Sequence, residues 1–154
     1  MGHERTLKQV DNELDETCVQ MVQLMNDYLV CIERIEQCLR NGCVHLAKSR
    51  YLMGNRSVSN LQLPTVRLYT ARSKIENDNE NDSIHLVTNK DGDDPIKRFG
   101  VLVPGSLRIA QEGFCKCLES AVEATNVQRK MEKLQKCVSN LKNVRNQMIK
   151  TSIL

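Results

Sequence analysis

Two apolar stripes of helical period, matched in length and separated by a polar break, constrain this chain more than any other feature. With Leu7 as heptad position a, the a series runs Leu7, Leu14, Met21, Tyr28, Ile35 and Gly42. The d series runs Val10, Thr17, Leu24, Cys31, Cys38 and His45. Position e adds Cys18, Met25, Ile32, Leu39 and Leu46, so the stripe reads as slightly broader than a pure two-stranded seam. The pattern predicts a helix over about 4–53, with Gly54 as a left-handed stop. Gly42 lies inside this pattern, where glycine costs about 1 kcal/mol relative to alanine, so it implies a packing partner.

The second stripe predicts a helix over about 104–151, opened by Pro104. Its apolar positions are Leu107, Ala110, Phe114, Cys117, Ala121, Ala124, Val127, Met131, Leu134, Val138, Leu141, Val144 and Met148. Arg129, Lys130, Lys133, Lys136, Lys142, Arg145 and Lys150 read as a basic outer face, helped by a Glu132–Lys136 pair. Each helix would span roughly 70 Å at 1.5 Å per residue. Equal stripes joined by a long connection predict an all-α fold, a long antiparallel two-helix hairpin of coiled-coil type. If the hairpin closes between Met53 and Pro104, opposed residue numbers sum to about 157, which sets Gly42 against Phe114.

The connection is uneven. Residues 55–72 alternate apolar and polar types and read as extended chain. Residues 73–95 are polar and acidic, and the expectation is a disordered linker. Residues 99–103 form an apolar island, expected as a short β-ribbon with Val66–Tyr69 at the hairpin end.

Composition narrows the function. Aromatics are only 3% with no Trp, so Leu, Ile, Val, Met and Cys must fill the core. A net charge of +3 is too small for a dedicated nucleic-acid protein. No apolar run is long enough to span a bilayer, and the polar N-terminal stretch is not a signal peptide, so a cytosolic protein is expected. Seven cysteines, an odd number, then read as reduced thiols serving as small buried hydrophobes. On a regular helix Cys115 and Cys117 lie about 200° apart and Cys38 and Cys43 about 140° apart, so neither pair chelates one ion. There is no nucleophile elbow or phosphate loop. The expectation is a protein with no catalytic residue, no metal and no cofactor.

The residues at the end of the predicted hairpin carry more information. Leu46-Ala-Lys-Ser-Arg-Tyr-Leu-Met-Gly54 closes the first helix, and Phe99-Gly-Val-Leu-Val-Pro-Gly-Ser-Leu107 opens the second. They would gather Arg50, Tyr51, Met53, Phe99, Val101, Leu102 and Leu107 at one tip. That cluster is either a small capping core or a partner-docking surface.

These two segments also resemble a known family. Leu46 to Val58 with Leu61-Gln-Leu63, and Asp94-Pro-Ile-Lys-Arg-Phe-Gly-Val-Leu-Val-Pro-Gly-Ser-Leu-Arg-Ile-Ala-Gln-Glu-Gly-Phe114, resemble the two signatures of coiled-coil assembly factors for the vacuolar-type proton ATPase. The order and the long flanking helices are also similar. Arg98 stands where related members often have an aromatic, and the linker is Asn/Asp-rich rather than Pro/Ser-rich.

The resemblance implies a non-enzymatic, chaperone-like assembly factor, needed for organelle acidification and absent from the finished pump. It implies a peripheral protein on the cytoplasmic face of the endoplasmic reticulum membrane, extending to early secretory vesicles. The implied partners are a small membrane-spanning endoplasmic-reticulum assembly protein and the large subunit of the ATPase membrane sector. The periodicity alone fits a permanent structural coiled-coil adaptor or tether equally well.

Overall fold

The computed structural model describes residues 6–62 and 69–153. Two long helices dominate: α1 (Leu7–Met53) and α2 (Gly105–Ile153). Between them lie a 3-10 turn at Asn60–Gln62, strands β1 (Ser73–Asp78) and β2 (Ser83–Thr88), and a 3-10 turn at Pro95–Phe99. The helix expected from about residue 4 begins at Leu7, because Thr6 caps it. The Thr6 hydroxyl accepts from the Gln9 amide at 3.4 Å, and the Gln9 side chain accepts from the Thr6 amide at 2.9 Å. This reciprocal capping box satisfies two donors that an unpaired helix end would leave orphaned. Gly54 adopts φ +84° and stops α1 as expected. Pro104 stands just before α2, its carbonyl accepting from the Leu107 amide at 3.0 Å.

The chain divides into two compact units. The first comprises Met1–Val30 and Asn126–Leu154. Here α1 buries Val10 and half-buries Leu14, Thr17, Met21, Leu24 and Tyr28, all at a or d. From α2 it buries Val127 and Leu141. Arg145 Nε donates to Asp11 Oδ1 at 2.6 Å, tying the two helices. Arg145 therefore does not belong to an outer basic face as expected. Val144, expected in the apolar stripe, is exposed instead. Glu132 accepts from Gln128 at 3.4 Å rather than pairing with Lys136. The e positions Cys18 and Met25 are exposed, so the seam is narrower than its apolar content suggested.

The second unit is Cys31–Thr125. Ile32 and Leu39, also at e, are exposed here too, while Cys31, Ala110, Ala124, Gly42 and Gly113 are buried. A Cβ placed on Gly42 would lie 2.9 Å from Phe114 Cε1, so the expected pairing of these residues is present. A Cβ on Gly113 would lie 3.3 Å from both the Gly42 backbone and the Cys38 carbonyl. Two missing side chains thus let the helix backbones approach closely, and the Phe114 ring fills the remaining space. One turn further along α1 from His45, the buried hydroxyls of Ser49 and Ser106 pair at 2.8 Å.

Residues 73–88 are not the disordered segment expected. They form an antiparallel hairpin in which Ser73 pairs with Thr88 and Asp78 with Ser83. The alternation Ile84-His85-Leu86 is a strand signal outweighed, in reading the sequence, by the surrounding Asn and Asp. Those same residues build the turn. Asp78 accepts from the amides of Glu80 and Asn81 and from the Asn81 side chain at 3.0, 3.3 and 2.7 Å. These bonds, led by the Asn81 side chain, hold the Asp78 carboxyl below its ordinary range. The two-stranded ribbon therefore lies in 73–88 and not at 99–103, where the chain forms a 3-10 turn and a bend. Residues 66–68 of its expected partner strand lie outside the described residues.

Candidate docking site

The second unit closes on a small apolar core built from both sequence signatures. Val58, Ile96 and Leu107 are buried together, and Leu46, Met53, Phe99 and Val103 pack against them. Of the expected cluster, Met53, Phe99 and Leu107 therefore serve as capping core. Tyr51 (88% exposed), Val101 (95%) and Leu102 (94%) stay outside it. Arg50 is exposed and lines an open groove of about 500 Å³ together with Leu46, Arg56, Val58, Leu61 and Phe99. The groove thus joins Arg50 and Phe99 of the expected cluster to Leu46, Asn55, Arg56, Val58, Ser59 and Leu61, which lay outside it. Among the described residues, neither the Arg50 nor the Arg56 guanidinium has an ion pair or hydrogen bond.

Asp94 fixes the second signature in place, a role missed in the sequence. Its Oδ1 accepts from the Ile96 amide at 3.2 Å and from the Gln111 side chain at 2.7 Å. Its Oδ2 meets Arg72 Nη1 at 2.8 Å. One carboxylate therefore caps the 3-10 turn, ties it to α2 and anchors the base of the β-hairpin. Partial burial pushes the Asp94 carboxyl up, but the bonds from Gln111, Ile96 and Arg72 outweigh it and hold the carboxyl below its ordinary range. The available signal was the pair Asp94-Pro95, an N-cap followed by a helix-starting proline. At the hairpin base a Cβ on Gly92 would lie 2.5 Å from the Arg72 Cα, so only glycine fits there. Arg98, where an aromatic was noted in the resembling family, stacks over Tyr69 at 4.3 Å.

The thiols depart from expectation. All seven are free, but Cys18, Cys43, Cys115 and Cys137 are exposed and only Cys31 is buried. Burial and the neighbouring Cys38 push the Cys117 thiol up. Among the described residues no group of His, Cys, Asp or Glu side chains is arranged to hold a metal ion. No described helix is long and apolar enough to cross a membrane. In comparisons with known proteins, no family model and no curated protein matches the chain.

Proposed function

We propose that the chain is a coiled-coil assembly factor for the membrane-embedded sector of a vacuolar-type proton ATPase. It acts without catalysis, on the cytosolic face of the endoplasmic reticulum, and supports organelle acidification. The observation that carries this reading is the groove. Leu46, Arg50, Arg56, Val58, Leu61 and Phe99 come from the two separated segments that carry the resemblance, and they fold into one surface. A pair of distant segments that meet to form an apolar groove edged by two guanidiniums, unpaired among the described residues, offers anchors of the kind that dominate binding energy. In this reading the groove receives the small membrane-spanning assembly protein, and the complex holds the large subunit of the ATPase membrane sector.

The test is affinity purification of the tagged full chain from detergent-solubilised membranes. Recovery of a small membrane-spanning protein together with proton-ATPase membrane-sector subunits supports the proposal. Recovery of a different complex, with no ATPase subunit, overturns it.

A second reading, a structural coiled-coil adaptor, is favoured by one observation. In the first unit Val22, Met25 and Leu29 on α1 are exposed at alternating spacings of three and four. That row is able to pack against a further helix.

A further inference from the structure

Residues 37–75 and 95–111 contain no Asp or Glu. Within them the side chains of Lys48, Arg50, Arg56, Lys97 and Arg108 have no ion pair or hydrogen bond among the described residues. The second stretch also carries the most exposed aliphatic pair among the described residues, Val101 and Leu102, at 95% and 94%. Their exposure is built in. Phe99 and Val103 on either side pack against the capping core. Gly100 takes φ +113°, which side-chain-bearing residues rarely adopt, and Pro104 restrains the far side. The chain is thus pinned at both ends and expels its two central aliphatics. Lys97 lies four residues before Val101 and Arg108 six after Leu102, which keeps both backbone positions within about 22 Å of the pair.

We propose that this loop binds an anionic bilayer surface, with Val101 and Leu102 entering the headgroup boundary and Lys97 and Arg108 meeting lipid phosphates. The pair is nearly fully exposed and does not line the groove. A bilayer interface takes it without shape matching, while the surrounding cations are drawn to negative lipid. Membrane contact by this loop is independent of which protein the groove receives.

The absence of tryptophan makes the test direct. The purified full chain is sedimented with vesicles of phosphatidylcholine alone and with vesicles containing about 30% phosphatidylserine. The expected result is binding to the anionic vesicles only, weakened by salt. Leu102→Asp should abolish it, and Lys97→Glu should weaken it by about fivefold or more. Leu61→Asp, in the groove, should bind like the wild type. Leu102→Trp should bind and shift its emission to the blue on anionic vesicles. Circular dichroism checks that each variant keeps its helices. Failure of the wild type to sediment with anionic vesicles overturns the proposal. So does wild-type binding by a folded Leu102→Asp variant, or binding that ignores phosphatidylserine. If Leu102→Asp instead loses an acidic protein partner and no vesicle binding is seen, the loop is a protein contact and the proposal fails.

Discussion

In the first unit the helices meet through Val10, Val127, Leu141 and half-buried aliphatics, and through the half-exposed Asp11–Arg145 bridge. In the second they meet through Gly42, Gly113 and the Phe114 ring, a buried serine pair, and a capping core drawn from both signatures. The first kind of seam is satisfied by many sequences of the right period. The second accepts few, because glycine contacts and buried hydroxyls have no slack. Sequence specificity is concentrated where the groove is built.

The largest effect should come from the capping core. Leu107→Ala removes a buried side chain and should cost about 2–4 kcal/mol, read by chemical denaturation. A loss below about 1 kcal/mol would show that the capping core contributes little to folding. Gly42→Ala comes next. Its methyl would press on the Phe114 ring, and overpacking should exceed the helix-propensity gain by about 1 kcal/mol. A stabilised Gly42→Ala variant would show that the ring moves aside freely.

Asp94 supplies a pH dependence. Its folded carboxyl titrates below the ordinary range, so its contribution is complete above about pH 4 and is lost as pH falls through the folded value. Asp94→Asn should cost about 1 kcal/mol at neutral pH and flatten this acid limb in a pH series of thermal melts. An unchanged limb would place the acid sensitivity elsewhere. A smaller effect still is expected from replacing residues 73–88 by a short turn between Arg72 and Asn89. The hairpin's bonds are largely its own, so helix melting should barely change. Extending the deletion through Asp94 should lower the melting temperature.

Much of this contrast was legible in the sequence. Heptad spacing located both helices, and Gly42 inside an apolar pattern pointed correctly to Phe114. Burial at e was not legible, because a narrow two-helix seam leaves Met25, Ile32 and Leu39 outside whatever their hydrophobicity. The hairpin was hidden because its Asn and Asp residues satisfy backbone amides locally, which composition counts as disorder. Arg50, Met53, Phe99 and Leu107 were legible as one end of the fold. Their division into core and surface was not, since it depends on Val58 and Ile96 taking the central places. Leu61 emerged as a groove residue only in three dimensions.

That division makes Leu61, which is 80% exposed while lining the groove, a cleaner substitution than Phe99, which touches the core. The most direct measurement is quantitative partner capture by Leu61→Asp from detergent-solubilised membranes, with circular dichroism on the same preparation. At least a tenfold loss of the proposed membrane-spanning partner, about 1.4 kcal/mol or more, is expected with wild-type helicity. Full capture by the folded variant would contradict it.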